Sequence, residues 1–275
     1  MTRTTHRTRS AGALTAVTLL LLAACGGAEG ETGAGTESTT RALLDQSAVV
    51  AGPSTTFQED GSVEALTGRA TRVFLPELGY NFGRPEAPVK LIEFSDYGCG
   101  FCRRFHEESY PTLKELYIDT GRIEWKFIPF ITGLFPNSLA VSEAAECMLE
   151  QGPARFEPFN DRLWERQGEW KPGQDPEAMA RGWAQELGAD VSRYDSCMAE
   201  DRRIERVAGA TVAARQLGVR GTPTFWIVGY GPIQGALPLD VLTQMLDVVI
   251  EAEGAQADSA AGSASPGAGA LSPRG

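Results

Sequence analysis

Apolar positions along the chain switch between a period of two and a period near 3.6, and the switches mark the elements. Residues 89–94, behind Pro88, form a short, β-branched, mostly apolar run, the pattern of a buried parallel strand. Phe101, Phe105, Leu113 and Leu116 then recur at roughly helical spacing, with Pro111 expected to kink or interrupt that helix. Residues 122–129 read as the next strand, which closes a right-handed β-α-β unit. About ninety residues of helical pattern follow, over 137–150, 155–166, 176–187, 191–198 and 201–217, with no strand-like run among them. Trp164, Trp170 and Trp183 read as packing residues of this block. The strand pattern resumes at 221–228, turns at 229–232 and can pair with 233–235. A last helix from 238 to about 253 carries Leu242, Met245, Leu246 and Val249 in a buried stripe. This order predicts one α/β domain, its first part at 63–130 and its second at 218–253, interrupted by a helical insertion at 131–217.

The ends have a different character. Arg3, Arg7 and Arg9 precede an apolar run at 11–24 that is too short to span a bilayer and reads as an export signal. It ends in Leu22, Ala23, Ala24, Cys25 and Gly26, which resembles the bacterial lipobox, so Cys25 is the expected lipidated first residue. Gly26 rather than Asp at the next position would, by Gram-negative sorting rules, permit transfer to an outer membrane. Residues 25–62 read as a flexible tether, with an apolar patch at 41–51, and 254–275 as a disordered tail rich in Ala, Gly, Ser and Pro. An edge strand is expected around 71–74, and 83–88 reads as a turn into the first central strand. With 36 acidic against 25 basic side chains and a net charge of −11, nucleic acid is excluded as a partner, and attachment to a membrane is expected to be covalent.

The chemistry concentrates where the first strand meets its helix, at Cys99 and Cys102. Cys99 falls at a helix N-terminus, where unpaired backbone N–H groups and the helix dipole favour an anion. With Arg103 and Arg104 close by, its thiol is expected to ionise below the free value of about 8.5, while Cys102, a turn deeper, is the shielded partner. Five cysteines and two histidines, without a second Cys-X-X-Cys, supply a structural zinc site poorly. No metal or cofactor is expected.

Residues 93–97 before Cys99, Gly100, Phe101 and Cys102, together with 218–225 after the insertion, resemble the DsbA-like family of thioredoxin-fold thiol-disulfide oxidoreductases. The resemblance covers about residues 80–253. It implies an α/β thioredoxin fold with an inserted helical domain, a cis peptide before Pro223, and a Thr222 backbone that receives an extended substrate by β-addition. It further implies that Glu93, expected to be buried between Ile92 and Phe94, assists proton transfer to and from Cys102. Lys126 on the adjacent strand is its candidate charge partner, and His106 reads as an exposed helix histidine. Two free thiols would be unusual in an exported protein, so Cys147 and Cys197 are expected to form a structural disulfide, against two buried free cysteines or a second redox pair.

The expected function is extracytoplasmic formation of disulfides in exported proteins by exchange through Cys99 and Cys102. The partners are cysteine-containing exported substrates and a membrane redox protein that recycles the site, and the chain is expected to be a monomer. Gly100, Phe101 and Thr222 look closer to the periplasmic reductases and isomerases, which keeps that direction as the alternative. A tethered peptide-binding module or chaperone without turnover is a third reading.

Overall fold

The computed structural model describes the backbone of residues 55–57, 62–67 and 69–263 and the side chains of residues 75–256. The leader, Cys25 and the patch at 41–51 lie outside the described residues.

A five-stranded sheet carries the site. It is built from β4 (Tyr80–Phe82), β5 (Val89–Ser95), β6 (Ile123–Pro129), β7 (Thr224–Ile227) and β8 (Gly231–Gln234), in the order β4-β6-β5-β7-β8. β5 runs parallel to β6 and antiparallel to β7, which pair both its edges, and its two faces pack into two cores, so it reads as a near-continuous apolar run. Alternation sorts its side chains. Leu91, Trp125, Phe127, Phe225 and Ile227 pack into the larger core, whereas Ile92, Phe94, Ile128 and Trp226 pack into a second core on the opposite face.

Helix α1 (Gly100–Glu108) and the short α2 (Tyr110–Leu113) connect β5 to β6. The insertion comprises α3 (Ser138–Leu149), α4 (Pro153–Glu165), α5 (Gln167–Trp170), α6 (Pro176–Glu186) and α7 (Val191–Ala199). Asp175 and Asp190 cap α6 and α7 by accepting from the backbone N–H groups of Ala178 and Arg193. Helix α8 (Ile204–Gln216) returns across the second core through Ala210, Ala213 and Ala214, and α9 (Leu239–Ser263) packs Leu242, Met245, Leu246 and Val249 into the first.

Four local expectations change. The helix after Cys102 breaks at Ser109, Pro111 sits in the first turn of α2, and residues 114–118 form a wider π-type turn. That shift in phase leaves Leu116 exposed and buries Tyr110 and Tyr117 instead, while Phe101 is exposed because Cys102, Phe105 and His106 form the inner face of its helix. Residues 71–74 belong not to the central sheet but to a separate antiparallel sheet of β1 (Thr55–Phe57), β2 (Ser62–Thr67) and β3 (Arg69–Phe74), and β1 falls within the stretch assigned to the tether. The edge strand of the central sheet is β4, three residues long and too short to show a period. Helix α9 continues past Glu253 through an alanine-rich run, since alanine favours helix and an isolated Gly254 does not end one.

Candidate active site

Residues 96–98 turn the chain from β5 into α1, and Asp96 fixes that turn. Its backbone carbonyl accepts from the Cys99 N–H at 2.8 Å and its Oδ1 from the Gly98 N–H at 2.9 Å and the Ser138 hydroxyl. Its Oδ2 accepts from the N–H and hydroxyl of Thr132, which ties the redox turn to the loop after β6. Gly98 has to be glycine because a Cβ would lie 2.3 Å from the Ser138 hydroxyl and 2.4 Å from the Phe135 Cβ. From the insertion, the Gln167 amide donates to the carbonyls of Tyr97 and Cys99, and the Tyr97 hydroxyl donates to Asn160 at 2.7 Å. Asp96 and Gln167 were not anticipated. The Asp-X-Gly spacing is a turn signal that points to Asp96, whereas nothing local points to Gln167.

Cys99 is the N-cap of α1, and its thiol donates to the carbonyl of Thr222 at 3.4 Å. The Thr222–Pro223 peptide is cis. The Cys99 thiol is pulled down to about 6, chiefly because the Cys102 thiol donates to it. Thr222 and the backbone N–H groups of Cys102 and Phe101 add to that stabilisation against the cost of burial. Burial, and then the neighbouring Cys99, push Cys102 well above its ordinary value. The two sulfurs are thus separated in acidity by their surroundings. The arginines are engaged elsewhere, Arg103 with Glu107 at 2.7 Å and Arg104 over the Phe101 ring at 5.6 Å.

Glu93 is fully buried, and its partners correct two expectations. His106 Nε2 lies 2.9 Å from one carboxylate oxygen, and the Trp125 indole donates to the other at 3.1 Å. Lys126 does not reach Glu93. Register pairs Glu93 with Phe127, so Trp125 and Phe127 share its face of the sheet and Lys126 points the other way. There Lys126 donates to Asn81 Oδ1 at 2.7 Å, and burial lowers it to about 8. His106 is buried rather than exposed, because it lies one turn beyond Cys102 on the inner face of α1 and stacks on Trp164 at 4.3 Å. Replacing His106 with alanine would strand one Glu93 oxygen and remove the stack, so a loss of about 3 kcal/mol is expected in urea unfolding. An unchanged midpoint would show that the pair carries no stability.

Cys147 on α3 and Cys197 on α7 are disulfide-bonded across a separation of 50 residues. Cys99 and Cys102 are free thiols, with Cys99 opening onto a cavity of about 690 Å³. Among the described residues, no helix is long and apolar enough to cross a membrane.

A dithiol at a helix N-terminus, with two unlike sulfurs facing a cis-proline on a mixed sheet, defines a thioredoxin-fold thiol-disulfide oxidoreductase. The Thioredoxin family profile matches residues 78–247. Na(+)/H(+) antiporter NhaA 3 of Salinispora tropica is 31% identical over 185 residues, 65% of this chain but only 26% of that protein. The probable disulfide bond formation protein D of Bacillus cereus is 27% identical over 58% of this chain and 75% of its own length. The crystal structure of Wolbachia pipientis alpha-DsbA1 superposes with a TM-score of 0.60 at 21% identity, covering 67% of this chain and 96% of that one, a likeness of fold. The chain belongs to the thioredoxin family.

Proposed function

We infer that the protein oxidises cysteine pairs in exported proteins, held at the cell envelope by a lipid on Cys25 and recycled by a membrane redox protein. The observation that supports exchange through this pair is the split between a Cys99 thiol lowered to about 6 and a Cys102 thiol raised by burial. A stabilised Cys99 thiolate favours the dithiol form over the disulfide, which makes the disulfide form an oxidant.

The cycle starts from the Cys99–Cys102 disulfide. A client thiolate attacks Cys99, the sulfur that lines the cavity, and the Cys99–Cys102 bond breaks as the client–Cys99 bond forms. Cys102 leaves carrying the electron pair and takes up a proton, for which Glu93, held by His106 and Trp125, is the proposed carrier. The client's second thiolate then attacks the client sulfur of the mixed disulfide and releases Cys99 as a thiolate. Two electrons pass from client to enzyme, and the recycling protein removes them.

Equilibration with glutathione buffers tests the direction, using the full chain and a Cys147→Ala/Cys197→Ala control. A potential near −120 mV is expected for an oxidase, whereas one near −270 mV would assign the chain to the reductases or isomerases. The second reading rests on Gly100 and Phe101 between the cysteines and Thr222 before the cis-proline. In the same preparation, alkylation of Cys99 should follow a midpoint at about pH 6. Reactivity falls as pH drops through that value, because the thiolate is the nucleophile.

A further inference from the structure

The cavity in front of Cys99 differs in charge from the rest of the molecule. The protein carries 36 acidic against 25 basic side chains, yet no carboxylate lines this cavity. Its walls are Phe101, Phe130, Leu134 and Phe135 with Arg215 and Arg220, and Phe101 and Leu134 are 60% and 78% exposed. By contrast, a second cavity, of about 340 Å³, is lined by Glu107, Glu157, Asp161 and Glu165 with Lys114.

The cations around the groove also lack acidic partners, although Arg215 donates to the Ile131 carbonyl at 3.4 Å. Arg104 lies over Phe101 at 5.6 Å, Lys171 over Phe135 at 4.5 Å and Arg215 over Phe130 at 5.9 Å, so each of these wall aromatics carries a cation on its face. Among the described residues none of the three pairs with a carboxylate, and Arg220 has no hydrogen bond or ion pair. Elsewhere, Arg122, Arg162, Arg181, Arg202 and Arg206 are neutralised by acids at 2.7 to 3.1 Å, whereas Arg155, among the described residues, donates only to the Leu187 carbonyl. Positive charge left without local compensation at a concave apolar wall attracts acidic side chains of whatever segment enters.

Resting on the exchange reading above, we propose that this groove selects extended client segments whose reactive cysteine is flanked by apolar and acidic residues. The apolar neighbours seat against Phe101, Leu134 and Phe135, while acidic side chains face Arg215 and Arg220. Clients with basic flanks are disfavoured at the encounter step, before any sulfur chemistry.

The test uses the oxidised full chain and short single-cysteine peptides with constant apolar neighbours, differing only in two flanking positions that are Glu, Gln or Lys. Formation of the Cys99–peptide mixed disulfide is read by mass spectrometry after acid quenching. Rates are expressed per thiolate, since flanking charge also shifts the peptide's own ionisation. The Glu peptide is expected to react about tenfold faster than the Gln peptide and the Lys peptide more slowly still, with the order collapsing in 0.5 M salt. In an Arg215→Gln/Arg220→Gln variant the Glu-to-Gln ratio should fall below about twofold, while Arg181→Gln, outside the groove, should keep it. A flat or reversed series, with dithiothreitol still reducing the site, overturns the proposal and leaves the exchange reading standing. It would give the groove to another occupant, such as an uncharged loop of the recycling protein. Failure of both dithiothreitol and every peptide to react at Cys99 would instead remove the exchange reading itself.

Discussion

Replacing Cys99 with serine should lower disulfide exchange by at least about a thousandfold. The Cys102→Ala protein, by contrast, cannot form the Cys99–Cys102 disulfide that starts the oxidising cycle, but it keeps a Cys99 thiolate able to attack a disulfide already present in a client and hold it as a mixed disulfide. The asymmetry follows from placement. Cys99 caps α1 and borders the cavity, while Cys102 is fully buried behind it. A serine hydroxyl at 99 supplies no thiolate at neutral pH, so neither client oxidation nor recycling can pass through it. The alanine at 102 removes the thiol that most lowers Cys99, so the Cys99 ionisation should also move upward from about 6. The variant should therefore trap disulfide-bonded client proteins as mixed disulfides on non-reducing gels, the client S–S bond breaking as the Cys99–client bond forms, more efficiently at pH 8 than at pH 6. A Cys99→Ser protein that loses exchange yet keeps its biological role would point to the peptide-binding module without turnover, and would sink the enzymatic role of this dithiol.

The parts of this site that were legible in the sequence are those fixed locally. A β-branched run, a tight turn and a helix start put Cys99 at an N-terminus whatever the remainder of the chain does, and the Gly-Thr-Pro-Thr stretch before β7 carried the cis-proline through resemblance. What was not legible depends on register and on the insertion. Whether Lys126 or Trp125 faces Glu93 turns on a one-residue choice of pairing between β5 and β6, and a shift of one flips every side chain. His106 reads as solvent-facing until α4 of the insertion brings Trp164 over its ring. The backbone N–H groups at the helix start do stabilise the thiolate, but the expected arginine contribution fails for a similar reason, since sequence proximity placed Arg103 beside Cys99 and its i,i+4 partner Glu107 takes the guanidinium away. Helix phase failed at Pro111, where the break and the π-type turn reset which residues face inward.

Removing the Cys147–Cys197 bridge should cost about 4 kcal/mol while sparing the exchange chemistry. The chain-entropy model gives that figure for a closed loop of 50 residues, because the cross-link restricts the unfolded chain far more than the folded one. In a domain of this size it corresponds to a drop of about 10 °C in unfolding temperature. The double replacement by alanine also leaves small voids, since both cysteines are 1% exposed, so packing adds to the loss. Neighbouring ion pairs will not compensate. Glu150 meets Arg193, Arg202 and Arg203 beside the bridge, but the arginines are partly solvated, and such pairs contribute little individually. Neither cysteine lines the cavity at Cys99, so the folded variant should exchange disulfides at the parental rate at 25 °C and lose it earlier on heating. Counting thiols after denaturation without reductant gives an independent check, because Cys147 and Cys197 should resist alkylation while reduced Cys99 and Cys102 react. An unchanged unfolding midpoint in the double variant would mean that the insertion is held by its buried aromatic and alanine contacts alone, and that the bridge adds nothing to the folded state.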